Sequence, residues 1–435
     1  MTGGICIADG GGTVRGTVIH QDNFIICKLL RQNTVEAAGQ IGFGVVNRYD
    51  DTQKRVDRHG GGSLCGSLSY CSAFFLDWQY GGTGMVKGKI VFVIPDMPGG
   101  GTERVVALLA NEYAARGIAV SILLFAGHQT AYPLDERIEV VSLGEPSGGS
   151  IGRRIERIRR MRSYYRANRG CRIWAFSVMG AVFSAVAVIG CRKEYAFLIS
   201  ERNDPQRYEH PHIRNFFYRG ADRIVCQTQD AIDSFPKAIR RKALVIPNPV
   251  ETGDTAVWSG EREKRIVAVG RLEPQKNHSL LLQAFARFRA QYPAYTLELY
   301  GQGSLEDALR EQAKELGIDR SVIFHGFSRQ VREEIRGAAM YVLSSDYEGI
   351  SNSMLEALAL GIPVIATDCP CGGSRTYIRQ EVNGLLVPTG NMTELSDAML
   401  RLAGDPQLGA GFGREGQKLK ETLGVSQIAD RFLVS

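Results

Sequence analysis

From Lys87 onward the chain alternates between short, unbroken apolar runs and longer stretches whose apolar residues recur every three or four positions. The first kind marks strands buried on both faces, the second helices with one inward stripe. Lys89–Pro95 reads as such a strand, and Thr102–Arg116 as a helix with Val105, Val106, Leu108 and Leu109 inward. Gly99-Gly100-Gly101 turns the chain between them. Gly117 ends the helix, and Ala119–Phe125 is the next strand. Strand, glycine turn, helix, strand is a βαβ unit. Further strands fit 137–143, 173–177, 195–200, 223–227 and 243–246.

Pro247-Asn248-Pro249 and the polar stretch 251–263 read as a linker. A second series follows, with strands at 265–270, 296–300, 322–324, 340–343, 364–367 and 384–387. Helices fit 279–291, 305–316, 330–337, 353–360, 392–403 and 406–423. The fold class is α/β: two doubly wound, Rossmann-like domains in tandem, with ligands expected at the carboxyl ends of the strands and in the cleft between domains. The expected divisions are 85–250, 251–425 and a C-terminal helix at 426–435 that packs back on the first domain.

Residues 1–84 fit no such pattern. Sixteen of the first 86 residues are Gly, and no helical or strand period persists. The segment is expected to be an irregular extension, and Met85 offers an alternative start. A length of 435 residues exceeds one ordinary core, and 44% hydrophobic with 23% charged residues excludes disordered and collagen-like chains.

Nine cysteines at irregular spacing, with no basic n-region or apolar core at the start, point to a reducing, cytoplasmic setting. Cys369-Pro370-Cys371 lacks a second pair at zinc spacing and reads as a turn, so no metal site is expected. Ile173–Cys191 is nineteen residues without a charge. It is long enough to span a membrane, but a buried strand, a turn at Gly180 and a buried helix explain it better.

The formal charge of +6 hides an uneven distribution. Residues 87–250 hold 25 basic and 15 acidic residues, and 251–435 hold 20 and 24. Nine Arg and one Glu lie in Ile151–Arg172, where Ile151, Ile155, Ile158, Met161 and Tyr165 form one helical stripe. Such a helix either lies on an anionic membrane surface or packs by its stripe with a solvated basic face. Nucleic acid is the weaker partner, because no known binding motif accompanies the arginines.

Three loops carry candidate chemistry. Arg271 and Lys276 stand five apart where the second domain's first strand ends, placed to hold a diphosphate or simply solvated. After the 340–343 strand, Glu348 lies on a loop and Glu356 one turn into a helix. Glu348 can accept from sugar hydroxyls, and the N–H groups of Asn352 to Leu355 can receive a phosphate. Glu356 either holds a ribose diol or, in Ser353-x-x-Glu356, caps its own helix. Gly99–Gly101 is either a tight turn or a close approach to a ligand. It lacks the G-x-G-x-x-G spacing of a nicotinamide dinucleotide site.

Residues 87–435 resemble the retaining glycosyltransferases of the GT-B fold, family 4. Four features carry the resemblance in order: Gly-Gly-Gly-Thr-Glu at 99–103, Ser-Glu-Arg-Asn-Asp-Pro at 200–205, Gly-Arg-x4-Lys at 270–276, and the Glu-x7-Glu pair of Glu348 and Glu356. The resemblance implies a nucleotide-diphosphate sugar donor in the second domain. Arg271 and Lys276 would neutralise the diphosphate, Glu348 would act at the donor sugar, and Glu356 would hold the ribose. Gly326 and Phe327 would flank the base. Gly349, Asn352 and Ser353 would line the donor site, with Gly100, Gly101 and Glu201 facing it from the first domain. It implies no cofactor beyond the co-substrate and no metal. The expected function is transfer to a glycan acceptor, lipid-linked in surface polysaccharide biosynthesis, by an enzyme peripheral to the inner face of the plasma membrane. The alternatives are a small soluble acceptor, a sugar-nucleotide epimerase, or a non-catalytic nucleotide-sugar-binding protein.

Overall fold

A computed structural model describes residues 88–435, apart from 128–129, 148, 252–257 and 259. The expected extension at 1–84, Met85 and four of the cysteines lie outside the described residues.

The first seven strands are β1 (Ile90–Ile94), β2 (Val120–Leu124), β3 (Glu139–Ser142), β4 (Arg172–Ala175), β5 (Ala196–Ser200), β6 (Arg223–Cys226) and β7 (Ala243–Val245). They form one sheet in the order β3-β2-β1-β4-β5-β6-β7. All its pairs are parallel, with Ile90 opposite Val120 and Arg172. Both faces of β1 are buried, which is why its sequence is an unbroken apolar run. Helix α1 (Gly101–Ala115) follows β1 and buries Val105, Val106, Leu109 and Tyr113.

Helix α2 (Ser150–Ala167) packs by its apolar stripe, one of the two arrangements expected of it. Met161 and Tyr165 are buried and Ile155 and Ile158 half-buried, so most of the apolar stripe is turned inward and only Ile151 is exposed. Only a polar, Arg-rich face is left to meet a partner. The charge-free run 173–191 divides into β4 and helix α3 (Val178–Ala187), whose N-cap Ser177 accepts from the Gly180 N–H. Burial in a core accounts for its hydrophobicity. Among the described residues no helix is long and apolar enough to cross a membrane.

The second sheet holds β8 (Glu263–Val269), β9 (Thr296–Tyr300), β10 (Val322–Gly326), β11 (Ala338–Leu343), β12 (Val364–Thr367) and β13 (Leu385–Val387). Its order is β10-β9-β8-β11-β12-β13, again parallel. In each sheet the strand order reverses beside the first strand, at β1/β4 and at β8/β11. Crevices open at such reversals, at the carboxyl ends of the strands. Helix α4 (His278–Arg289) follows β8 and α5 (Asn352–Ala359) follows β11. The helix expected over 406–423 is interrupted after Gln417 and resumes at Lys420.

The last helix, α6 (Val425–Leu433), crosses back to the first domain. Phe432 lies between Trp174 and Phe176, with ring centroids 5.7 and 5.9 Å away. The Tyr113 hydroxyl donates to the Ala429 carbonyl at 2.8 Å, and Arg116 pairs with Asp430. The polypeptide therefore passes between the domains twice, and the end of the chain completes the core of the first.

Two predictions follow from this packing. Phe432→Ala, which empties a site 1% exposed, is expected to lower the unfolding free energy of the first domain by about 3–5 kcal/mol. The exposed Val434→Ala should change it by less than about 0.5 kcal/mol, and denaturant titration measures both. The second concerns His278 at the start of α4. Burial, aided by the nearby Lys276 ammonium, pulls its pKa down from 6.5 to about 4. The neutral ring is thus the folded form, and its stabilising contribution is full above pH 6.5. It declines as the pH falls from 6.5 towards 4, by at most roughly 1.4 kcal/mol per pH unit. His278→Asn should flatten that part of the stability–pH curve.

Candidate functional site

The carboxyl ends of the two sheets face each other across a cavity of about 1060 Å³. Of the twelve residues singled out from sequence, ten line it: Gly100, Gly101, Glu201, Arg271, Lys276, Phe327, Glu348, Asn352, Ser353 and Glu356. Gly326 and Gly349 lie just behind its walls.

The second-domain wall is built from two loops zipped together. Asn277 sits in the left-handed region at φ 46°, a conformation that Asn tolerates better than most residues. There its side chain accepts from the Leu280 N–H, capping α4, and donates to Asp346 at 2.8 Å. Gln275 Nε2 donates to the Tyr347 carbonyl at 2.9 Å, and the Asp346 N–H donates to the Gln275 carbonyl at 3.0 Å. The zipper brings Lys276 onto Glu348: Nζ donates to Oε1 at 2.5 Å, and Ser345 Oγ donates to the same oxygen at 2.9 Å. Glu348 is buried, so this pair is shielded from water and from screening salt. The Arg271 side chain makes one hydrogen bond, from Nη2 to Gln275 Oε1 at 3.3 Å, and has no ion pair among the described residues. Gly301, at φ 138°, lets the β9 loop close on the β8 loop, where a Cβ would stand 2.0 Å from the Gly270 carbonyl oxygen.

Glu356 does not cap its helix. Ser351 is the N-cap and accepts from the Met354 N–H, while Ser353 Oγ donates to the Val269 carbonyl. This corrects the expected N–H cluster too. Met354 and Leu355 are both bonded to Ser351, which leaves the N–H groups of Asn352 and Ser353. Freed from capping, the buried Glu356 carboxylate reaches across the cleft to Arg104 at 3.1 Å. Burial raises the Glu356 pKa, against the pull of Arg104. Arg104 also approaches Glu251, at 3.5 Å.

Glu201 is only 6% exposed, and one of its oxygens accepts from Tyr218 at 2.9 Å. Much of its role is therefore to anchor the first-domain wall. Gly349 is pressed against the other domain, where a Cβ would stand 1.9 Å from Gln227 Oε1. Phe327 is 41% exposed at the rim and faces Gly99. The Gly326 carbonyl accepts from the Gly301 N–H at 2.7 Å.

Several site residues escaped the sequence reading. Pro247-Asn248-Pro249 is no open linker. Asn248 is 2% exposed and joins the domains: its Oδ1 accepts from Gln227 and Arg202, and its Nδ2 donates to the Ile350 carbonyl and to Asn352. Asn352 in turn donates to the Gly101 carbonyl at 2.7 Å. Arg104 and Arg202 also line the cleft. Their position beside the glycine turn and inside the 200–205 segment was the available signal.

The family described as Glycosyl transferases group 1 matches residues 256–419, and Glycosyltransferase Family 4 matches residues 99–254. An uncharacterised glycosyltransferase of Haemophilus influenzae is 23% identical over 79% of this chain and 98% of its own length. The N-acetylgalactosamine-N,N'-diacetylbacillosaminyl-diphospho-undecaprenol 4-alpha-N-acetylgalactosaminyltransferase of Campylobacter jejuni is 31% identical over 34% of this chain and 39% of its own length. The chain spans less than half the length of most of the curated relatives it matches. Among solved structures, Anabaena HepE in complex with UDP and glucose superposes with a TM-score of 0.69 at 20% identity, covering 79% of this chain and 98% of that one. On the two matching families and the paired parallel sheets, this chain belongs to the family 4 type of glycosyltransferases with the GT-B fold.

Proposed function

We propose that this chain is a retaining glycosyltransferase that moves a sugar from a nucleoside-diphosphate donor to a lipid-linked glycan in surface polysaccharide biosynthesis. The observation that carries the reading is the Lys276–Glu348 pair beside the unpaired Arg271, on a wall opposite the Gly99–Gly101 turn. Arg271 offers the diphosphate a planar fork and Lys276 a point charge. Glu348, with Oε1 held by Lys276 and Ser345, keeps its other oxygen for hydroxyls of the donor sugar. Glu356 takes the ribose once the donor replaces Arg104. Gly326 and Phe327 flank the base, and the free N–H groups of Asn352 and Ser353 face the phosphates. Gly349 holds the loop closed behind them, and Glu201 offers the acceptor its second oxygen.

In the reaction, the bond from the anomeric carbon to the diphosphate oxygen breaks. Arg271 and Lys276 meet the charge that gathers on that oxygen, a contribution larger in a dry cleft than in water. The acceptor oxygen bonds to the same face of the anomeric carbon, and its proton passes to the departing phosphate oxygen. Protein cations supply the compensating charge, so the scheme needs no metal ion. The activity for which the Campylobacter relative is named, on a diphospho-undecaprenol acceptor, supports a lipid-linked acceptor here, and the UDP and glucose in HepE support a sugar nucleotide donor.

The outward arginines of α2 support a peripheral membrane site. Arg153, Arg154, Arg159, Arg166 and Arg169 are all exposed around that helix, a suitable face for anionic headgroups.

Two experiments test these readings. The full chain incubated with a panel of nucleotide sugars and a lipid extract should transfer one sugar with retention at the anomeric carbon. Arg271→Gln should lower kcat/KM by about a hundredfold or more, and inversion, or no turnover with any donor, refutes the proposal. In liposome flotation the full chain should rise with vesicles containing phosphatidylglycerol and lose that binding when the α2 arginines are changed to Gln. Equal binding by both proteins removes the membrane site.

A further inference from the structure

Arg202 is a cation of the first-domain wall that the reaction scheme leaves unused. Its carbonyl oxygen would stand 2.8 Å from a Cβ at Gly349, the residue after Glu348. Its guanidinium stacks on Phe176, 5.5 Å from the ring centroid. Its hydrogen-bond acceptors are all uncharged: Nη1 donates to Ser200 at 3.3 Å and Nη2 to Asn248 at 2.5 Å. Nε is buried with no partner. The adjacent Glu201 gives an oxygen to Tyr218 and makes no hydrogen bond or ion pair with the guanidinium, acting on it only through its charge. Arg104, the other cation lining this wall, is already paired with Glu356.

A guanidinium held against an aromatic face, with neutral partners and an idle N–H, is unusual, because buried charges are normally paired. Burial accordingly pulls the Arg202 pKa down to about 9. An anion arriving in the cleft would supply the directly bonded negative partner that Glu201 does not provide, and meet a rigid, prepositioned fork. The donor diphosphate already has Arg271 and Lys276 on the opposite wall.

We propose that Arg202, backed by Phe176, forms a second anion-binding subsite on the first-domain wall, for a phosphate or carboxylate carried by the acceptor. The inference rests on the donor reading given above. It makes the preferred acceptor an anionic one, bearing either a diphosphate or an acidic sugar near the reacting hydroxyl.

Isothermal titration of the full chain tests it. UDP, GDP and ADP are titrated first. With the best of them saturating, inorganic pyrophosphate and, separately, glucuronate are added. One further site is expected for at least one of these anions. Arg202→Gln should weaken that site by about tenfold or more while leaving nucleotide affinity within about twofold of the parent, a split that a merely structural role would not produce. Stronger binding of pyrophosphate assigns the subsite to a diphosphate-linked acceptor, and stronger binding of glucuronate to an acidic glycan. If Arg202→Gln fails to fold by circular dichroism, Arg202→Lys decides: it lacks the planar fork, so a loss of about three- to tenfold is expected and equal affinity overturns the proposal. The proposal also falls if no anion binds the nucleotide-saturated parent at millimolar concentration, or if Arg202→Gln binds as tightly as the parent. If no nucleoside diphosphate binds at all, the donor reading fails and takes this subsite with it.

Discussion

The side chain of Asn248 uses its whole hydrogen-bonding capacity to hold two domains in one arrangement. An amide has two donor and two acceptor positions, and all four are filled: Arg202 and Gln227 donate to its oxygen, while its nitrogen donates to Ile350 and Asn352. Two of these partners belong to the first domain and two to the second. In a site this buried, leaving one such group unmatched costs about 1–3 kcal/mol, so the facing loops have few alternative registers. The Asn352 bond to the Gly101 carbonyl extends the node to the start of α1. Gly349 against Gln227 lets the two backbones approach closely enough for it to form.

Around this neutral node the charges divide into those already answered and those waiting. Lys276 answers Glu348 within one wall, and Arg104 answers Glu356 across the cleft. The first pair fixes a carboxylate in place. The second ties the domains by a contact that a ligand on either wall must accommodate. Arg271 has no carboxylate partner and Arg202 only neutral ones, and they stand on opposite walls. With cations free of ion pairs on both sides, the cleft is suited to two anionic reactants brought together, each with its own counter-charge.

Most of the fold was legible in the chain because its strands are parallel and buried on both faces. Such strands appear as unbroken apolar runs like Ile90–Ile94, and the glycines after them mark where the chain turns into the cleft. The Arg271–Lys276 and Glu348 loops could be located for the same reason, since each directly follows a recognisable strand. What failed was local inference about single polar residues. Ser353-x-x-Glu356 has the spacing of a capping box, yet Ser351 caps the helix and Glu356 turns to Arg104, 252 positions away in sequence. Asn248 between two prolines looks like linker, yet its side chain is buried and hydrogen-bonded to both domains. For the Arg-rich α2 the periodicity left packing and a membrane surface both open, and α3 and the sheet of its own domain cover most of its apolar stripe.

The sequence by itself determined the class of fold, the order of its elements and the loops that reach the ligand edge, because periodicity and turn chemistry are properties of neighbours along the chain. It also restricted the chemistry, through the cations after β8 and the two glutamates after β11. Which carboxylate meets which cation was decided only by the tertiary structure. Hydrogen bonds and ion pairs act over about 3 Å, and only when the two sheets are set face to face do residues such as Arg104 and Glu356, or Arg202 and Asn248, come within that distance.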